Sequence, residues 1–321
     1  MGIDLIYIAA GLVLLFAGGE GLVRGSVAIA ERAGLSKMVI GLTIVGFGTS
    51  APELLVSLKA AFSGAPEIAL GNVVGSNIAN ILLIIGAGAL IMPIAGWDRS
   101  AVREALVAAL VAFALFGLLK GAFLDRLEGA LLLAVLAVYL GATFWMEKRS
   151  RDSQMFEHET EEFEGYGALR MSLATVFVLG GIIALVVGAN LLVSGAGSIA
   201  RTFGVADAVI GLSLVAIGTS LPELATSISA ALKKQSDVVI GNVIGSNIFN
   251  VLAILGITTA IFPIEVSERF QGVDMVFMLL LSCGLAVILF AAKRIGRAAG
   301  FLFIAGYAVY IGYLFQSGAI R

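Results

Sequence analysis

The chain has very little of the nitrogen and sulfur chemistry that most protein metal sites use. Of its 321 residues, one is cysteine and one is histidine. Cys283 lies in an apolar run, which excludes a disulfide framework and a thiolate metal site within the chain. His158 falls in a charged stretch, and we expect it to be a solvated side chain. Cation ligands would therefore have to be oxygen atoms.

Charged residues are also scarce. Asp, Glu, Lys and Arg make up 13% of the chain, hydrophobic residues make up 60%, and the mean hydropathy is +1.05. A soluble domain does not have that balance, so the composition predicts an all-α polytopic membrane protein. The formal net charge of −2 gives no support for binding nucleic acid, and we expect no enzyme activity.

Stretches of about 20 mostly apolar residues, the length that crosses a bilayer, predict ten spans. The first has no Lys or Arg before Arg24, so we interpret it as a transmembrane helix and not as a signal peptide. The only sizeable polar segment, 147–167, separates five spans from the next five. The spans are predicted near 3–29, 38–62, 67–92, 101–119, 124–146, 168–199, 208–232, 237–262, 272–292 and 298–316.

Lys and Arg are distributed unequally between the two sides of the predicted membrane. Loops after odd-numbered spans hold thirteen of them, and the opposite side holds five. Cytoplasmic loops carry the excess of Lys and Arg in membrane proteins. The bias predicts that the linker, 147–167, is cytoplasmic and that both termini are extracytoplasmic, in a multi-pass protein of the inner or plasma membrane.

The sequence repeats itself at a shift of 170 residues. GLTIVGFGTSAPE (41–53) and GLSLVAIGTSLPE (211–223) share eight of thirteen positions; GNVVGSNIAN (71–80) and GNVIGSNIFN (241–250) share eight of ten. Each copy holds five spans, an odd number, so the second copy enters the membrane from the opposite face. The chain is predicted to form two inverted five-helix repeats, 1–146 and 168–321. This arrangement is typical of secondary transporters.

The first motif places a proline and a carboxylate in the middle of a span. A carboxylate there costs roughly 2.5–3.5 kcal/mol, and neither of the spans that contain Glu53 and Glu223 has a Lys or Arg at comparable depth. We therefore expect a transported cation to balance the two charges. Pro52 and Pro222 have no N–H, which predicts that carbonyl groups about one turn earlier are released from helix hydrogen bonds.

Oxygen-bearing side chains surround these carboxylates in the sequence. Hydroxyl groups lie one turn before each glutamate, and the second motif places a serine and an asparagine four residues apart, on one helix face. Such a set suits Ca²⁺ and Na⁺, and does not suit zinc, copper or iron. Two carboxylates balance one Ca²⁺ or two Na⁺. The side chains are Thr49, Ser50, Ser76, Asn80, Thr219, Ser220, Ser246 and Asn250.

Other polar residues in the spans have less specific interpretations. For Asn77 and Asn247, packing or helix bracing is as well supported as ion ligation. Asn72 and Asn242, each next to a glycine, are predicted mainly to begin helices or lie in turns.

Glu20 and Arg24 are four residues apart in the first span, and we predict an ion pair with a structural or gating role.

The paired GTS-x-PE and GN-x-x-GSN-x-x-N blocks resemble the two repeats of the cation/calcium exchanger superfamily, above all those of prokaryotic sodium/calcium exchangers. The resemblance covers essentially the whole chain. It implies ten helices, alternating access, and movement of the first helix of each repeat against the rest. Some relatives have Asp where this chain has Asn250, which argues against potassium dependence. The implied ligands are Thr49, Ser50, Glu53, Ser76, Asn80, Thr219, Ser220, Glu223, Ser246 and Asn250, with carbonyl groups near Gly46 and Ala216.

The sequence thus predicts a Na⁺/Ca²⁺ antiporter that works as a monomer in the lipid bilayer, with Na⁺ and Ca²⁺ as substrates and no cofactor. The alternative is an H⁺/Ca²⁺ antiporter on the same scaffold, because burial makes a carboxylate easier to protonate. A passive cation channel is a third hypothesis, but the sequence lacks a selectivity filter repeated around a symmetry axis.

Overall fold

The computed structural model describes residues 2–32, 50–97, 99–149, 169–232, 234–292 and 294–318, and these residues are almost entirely helical. Its first half contains α1 (Gly2–Arg32), α2 (Ala51–Phe62), α3 (Pro66–Ala79), the π-helix π1 (Asn80–Ile84), α4 (Ile85–Ile91), α5 (Arg99–Leu118) and α6 (Arg126–Arg149). Its second half contains α7 (Met171–Phe203), α8 (Asp207–Ile210), π2 (Gly211–Val215), α9 (Ala216–Thr219), α10 (Leu221–Leu232), α11 (Ser236–Phe249), π3 (Asn250–Leu255), α12 (Gly256–Ile261), α13 (Glu268–Gln271), α14 (Val273–Ala291) and α15 (Arg297–Gly318).

Four strands of two residues each connect the two halves. β1 (Ile94–Ala95) pairs antiparallel with β4 (Arg294–Ile295), and β2 (Phe123–Leu124) pairs antiparallel with β3 (Ile264–Glu265). The strands β1 and β3 each follow an X-Pro pair, and the residue before a proline favours extended backbone. Each strand pair therefore joins one segment of the first half to one of the second.

The membrane-spanning helices agree closely with the predicted spans. Eight helices among the described residues are long and apolar enough to cross a membrane, and a ninth is obtained if the segments Asp207–Thr219 and Leu221–Leu232, which meet at 42°, form one broken span. These nine correspond to nine predicted spans. Of the predicted span 38–62, residues 50–62 are described and contain α2. The count of ten therefore stays a prediction.

The last helix of the first repeat extends beyond the predicted end of that repeat. The helix α6 continues through Arg149, three residues beyond the predicted boundary at 146. The rest of the predicted linker, with His158, lies outside the described residues, and α7 begins at Met171. The repeat boundaries themselves stay a prediction.

The first helix of each half packs against the other along glycines. Gly11, Gly18 and Gly25 recur every seven residues on α1. A Cβ atom on Gly18 would lie 2.9 Å from the carbonyl oxygen of Gly181, and one on Gly25 would lie 2.5 Å from that of Ala174. Small residues let helix backbones approach closely in lipid, where apolar burial gives little driving force. The antiparallel pair α1–α7 therefore depends on these glycines.

The most buried spans are the two that contain the second repeated motif. Of the most apolar part of each, 78% of residues are buried in Pro66–Ile91 and 89% in Val238–Ile261, compared with 22–39% in the other six continuous spans. The helix α2 packs on α3, and α10 packs on α11. The centre of the molecule is therefore built from the segments that hold the predicted ligands.

Candidate ion-binding site

Each candidate glutamate lies in the first turn of a helix that begins inside its predicted span. Ser50 (φ −84°, ψ 4°) and Ser220 (φ −82°, ψ 8°) leave helical geometry, and α2 and α10 begin at the next residue. Proline is tolerated in a first helical turn because its missing N–H would have no partner there. Glu53 and Glu223 stand in these first turns, where the helix dipole favours a negative charge.

The two carboxylate groups are buried and close enough for their charges to interact. Glu53 and Glu223 are each 1% exposed, and the charge of Glu223 acts on Glu53. Within the described part of the chain, Oε2 of each glutamate has no hydrogen-bond partner. Two like charges in a medium of low polarity repel one another strongly. A cation between them would remove that repulsion and provide the missing partner.

Four more buried oxygen atoms in this region have no partner among the described residues. They are Oγ of Ser50 and Ser220 and Oδ1 of Asn80 and Asn250. Leaving such an atom unpaired costs about 1–3 kcal/mol, and native proteins rarely do so without a reason. Together with the glutamates they form three pairs related by the shift of 170 residues. Six predicted ligands thus each have a buried oxygen atom that is unpartnered among the described residues, which makes them candidate cation ligands.

The other predicted ligands vary in how much of their environment is described. The hydroxyl of Thr219 lies beside Glu53 and donates to Oδ1 of Asn72 at 2.9 Å. Oγ of Ser76 is 3.5 Å from the carbonyl oxygen of Ala216, which links the two halves. Ser246 is buried on α11.

Two predicted ligands, Gly46 and Thr49, lie outside the described residues. The first repeat's contribution is therefore described only from Ser50 onward.

The contacts around Pro222 distinguish between the carbonyl groups that were predicted to be released. The carbonyl oxygen of Ala216 accepts a hydrogen bond from the backbone N–H of Ser220 at 3.1 Å, besides the contact with Ser76. Pro222 has no N–H to offer to the residue four positions earlier, which is Gly218. The proline therefore removes the usual helical donor from the carbonyl group of Gly218 and not from that of Ala216.

The prediction that Asn72 and Asn242 begin helices or lie in turns is wrong. Both lie inside helices, α3 and α11. Nδ2 of each donates to the backbone carbonyl oxygen of its repeat's glutamate, at 3.2 and 3.0 Å, and to a serine hydroxyl, of Ser57 at 3.0 Å and Ser227 at 2.9 Å. They hold the first turns of α2 and α10 in position. The recurrence of both serines at the shift of 170 was an available signal.

Asn77 and Asn247 bridge the two halves. Nδ2 of each lies 3.4 Å from the backbone carbonyl oxygen of the other, and Oδ1 of each accepts from the candidate ligand of the opposite repeat. The bonds from Asn80 to Asn247 and from Asn250 to Asn77 are both 3.0 Å long. Of the roles left open by the sequence, bracing is the one that these contacts support.

Two of the π-helices begin at candidate ligands. π1 begins at Asn80 and π3 begins at Asn250, at the ends of α3 and α11. An interruption of this kind inserts an extra residue per turn and is frequent at functional sites. The π-helices could not be expected from the sequence, because π segments have no side-chain pattern of their own.

The sequence profile of the family "Sodium/calcium exchanger protein" matches residues 3–145 and 173–316. The chain belongs to the sodium/calcium exchanger family. The matched ranges cover both halves, so membership does not depend on one motif. The family is one of transporters, and the chain is a multi-pass membrane protein.

Individual relatives match over nearly their full length. The protein CaxA of Alkalimonas amylolytica is 39% identical over 316 residues, covering 97% of this chain and 98% of that one. The sodium/calcium exchanger MaX1 of Methanosarcina acetivorans is 32% identical over 349 residues, covering 98% and 99%. A solved structure of the sodium-calcium exchanger NCX_Mj, soaked with Na⁺ and Sr²⁺, matches with a TM-score of 0.65 at 32% identity, covering 97% and 98%.

The predicted ion pair of this exchanger-family chain is present. Nε of Arg24 lies 2.6 Å from Oε1 of Glu20, and about two-fifths of each side chain is exposed. Both residues line a groove between α1 and α7, together with apolar side chains such as Phe16 and Phe177. The pairing is confirmed, and its structural or gating role stays a prediction.

Proposed function

We propose that the chain exchanges Na⁺ for Ca²⁺ across a membrane by alternating access. The observation that carries the proposal is a set of six buried oxygen atoms that lack partners in the described part of the chain; the set includes both glutamates and recurs at the same shift in both halves. Flexible coordination by carboxylate, hydroxyl and amide oxygens is what Ca²⁺ accepts, and Na⁺ is a hard cation of the same preference. The names of the relatives MaX1 and NCX_Mj support the same pair of ions.

Charge balance gives a reason for exchange at one site. Asn80 and Asn250 are neutral, so Glu53 and Glu223 supply the two negative charges. One Ca²⁺ or two Na⁺ neutralise them, and either ion then competes with the other for the same oxygen atoms. We propose the ligands Thr49, Ser50, Glu53, Ser76, Asn80, Thr219, Ser220, Glu223, Ser246 and Asn250, with backbone carbonyl groups near Gly46 and Ala216.

Alternating access requires two halves that face opposite sides of the membrane. We propose ten transmembrane helices in two inverted repeats, 1–146 and 168–321. The linker 147–167 would lie in the cytoplasm, and both termini would be extracytoplasmic. The contacts that recur at the shift of 170 support this arrangement, as do the crosswise strand pairs. The protein would act as a monomer in the cell membrane, without a cofactor.

Coupling to protons is the second candidate. Glu53 and Glu223 are each 1% exposed, and a carboxylate group can accept a proton as well as balance a cation. Two protons could then replace two Na⁺ at the same oxygen atoms. The same ligands would serve, so the distinction must be made by transport and not by site mutants.

The test is uptake of Ca²⁺ into liposomes that contain the purified protein. An outward Na⁺ gradient is imposed with the pH clamped equal on both sides, and internal Na⁺ is replaced by choline in the control. We expect uptake that disappears with choline. Uptake that ignores Na⁺ and appears when a pH gradient is imposed would move the protein to proton coupling, and large passive currents without a counter-ion would indicate a channel.

A further inference from the structure

The orientation of an amide side chain decides whether it attracts or repels a cation. Asn80 and Asn250 can serve a cation only if each presents Oδ1, because the NH₂ group carries positive partial charge. In the structure each presents its NH₂ group to the other repeat, and its Oδ1 has no partner among the described residues. Something must hold that orientation against a half turn of the amide, which differs little in shape.

The hydrogen-bond chain that ends at Asn80 begins at a backbone carbonyl oxygen. Nδ2 of Asn247 lies 3.4 Å from the carbonyl oxygen of Asn77. A carbonyl oxygen can only accept, so Asn247 must direct its NH₂ group there and its Oδ1 elsewhere. That Oδ1 lies 3.0 Å from Nδ2 of Asn80. Turning Asn247 around would place two acceptors against each other.

The same chain runs in the opposite direction through the other half. Nδ2 of Asn77 lies 3.4 Å from the carbonyl oxygen of Asn247, and its Oδ1 accepts from Nδ2 of Asn250 at 3.0 Å. Asn77 and Asn247 are 2% and 5% exposed, so water does not compete for these bonds. Each repeat thus orients the ligand of the other repeat.

We infer that Asn77 and Asn247 are positioning residues that hold Asn80 and Asn250 with oxygen facing the transported cation. The inference rests on the proposed function, since it takes Asn80 and Asn250 as cation ligands. It assigns Asn77 and Asn247 no contact with the ion. Residues that orient metal ligands in this way typically change metal affinity about 10- to 100-fold when they are replaced.

The test compares Asn247→Leu in two backgrounds. Leucine has a similar volume and accepts no hydrogen bond, so the amide of Asn80 can turn. We expect the KM for Ca²⁺ uptake to rise about tenfold or more, with a smaller change in kcat. In the Asn80→Asp background the ligand carries oxygen on both sides and meets Oδ1 of Asn247 as a second acceptor. There Asn247→Leu should leave KM unchanged or lower it.

The change in KM that Asn247→Leu causes in the Asn80→Asp background distinguishes a role in orientation from a role in packing. If Asn247 only packs, Asn247→Leu raises KM by the same factor in both backgrounds, and that result overturns the inference. A wild-type protein that carries no Ca²⁺ under either gradient overturns the proposed function and this inference with it. Wild-type transport with equal effects in both backgrounds overturns the inference alone.

A matched control and a second variant complete the design. Met278→Leu removes a sulfur atom 3.6 Å from Nδ2 of Asn77 but leaves the carbonyl acceptor, so its KM should equal the wild-type value. If Asn247→Leu does not fold in detergent, Asn77→Leu is tested with and without Asn250→Asp, and the same reversal of sign is expected there by the symmetry of the bonds.

Discussion

Glu53 and Glu223 carry the negative charge of the candidate site, at the scale of single residues. We expect Glu53→Gln or Glu223→Gln to reduce Ca²⁺ uptake more than a hundredfold, because removing one partner of a buried charge pair costs about 3 kcal/mol or more. The unfolding temperature in detergent should not fall, since a neutral amide replaces a charge buried to 1% exposure. Uptake in liposomes and thermal unfolding measure the two effects.

The control for this prediction is Glu268→Gln. Glu268 is an exposed residue in the first turn of α13, and the substitution should leave uptake within twofold of wild type, as expected for surface positions. Ca²⁺ uptake at the wild-type rate in both buried variants would contradict the assignment of the site.

The sequence predicted the candidate cation ligands better than it predicted the residues that hold those ligands in position. Of the eleven buried side-chain atoms that lack a partner among the described residues, six belong to predicted ligands, because charge and oxygen chemistry are visible in residue types. Asn72 was misinterpreted because its neighbouring glycines suggest a turn, whereas its contacts with α2 depend on packing between helices. A hydrogen bond across an interface has no pattern in a single sequence.

At the scale of elements, the turn after α2 and the equivalent turn after α10 have the same backbone conformation but different residues. Gly64 and Lys234 follow α2 and α10 at the shift of 170, and both have positive φ, +76° and +63°. Left-handed backbone after a helix favours glycine, and a side chain there is strained. We expect Lys234→Gly to raise the free energy of unfolding by about 1 kcal/mol, visible as a higher unfolding temperature.

The reverse substitution provides the check. Gly64→Lys should lower the unfolding temperature by a comparable amount, because nothing lies within 4 Å of a Cβ atom at Gly64 and the backbone alone opposes it. A lower unfolding temperature for Lys234→Gly would mean that the lysine side chain stabilises this turn more than its backbone conformation destabilises it.

Helical spans were predictable from hydropathy, and their interruptions were not. Nine predicted spans correspond to helices or to a helix broken at Ser220. The π-helices π1 and π3 differ from α-helix by one residue per turn, which leaves no trace in hydropathy. The strands are two residues long, too short for an alternating pattern.

At the scale of the whole molecule, the two strand pairs should mark opposite sides of the membrane. Ala95 in β1 follows the third predicted span, and Ala122, next to β2, follows the fourth; both are exposed. In a Cys283→Ser background, we expect Ala122→Cys to react with an impermeant maleimide on intact cells. Ala95→Cys should react only after permeabilisation, because loops after odd-numbered spans hold the excess of Lys and Arg.

Two controls make the labelling decisive. The Cys283→Ser protein without added cysteine should remain unlabelled, and both variants should retain Ca²⁺ uptake. Labelling of Ala95→Cys on intact cells, with Ala122→Cys protected, would invert the proposed orientation and place both termini in the cytoplasm.

The hydrogen bonds between the two halves can form only after the second half has been synthesised. The amide of Asn80 binds Asn247, which is 167 residues later in the chain, so at about 5–20 residues per second it waits roughly 10–30 s for its partner. During that interval the amide group of Asn80 lacks the partner that it has in the complete protein. Until the second half has been synthesised, the nascent protein has polar groups without partners, as a damaged protein does. We expect the quality-control proteases of the membrane to recognise it in that state.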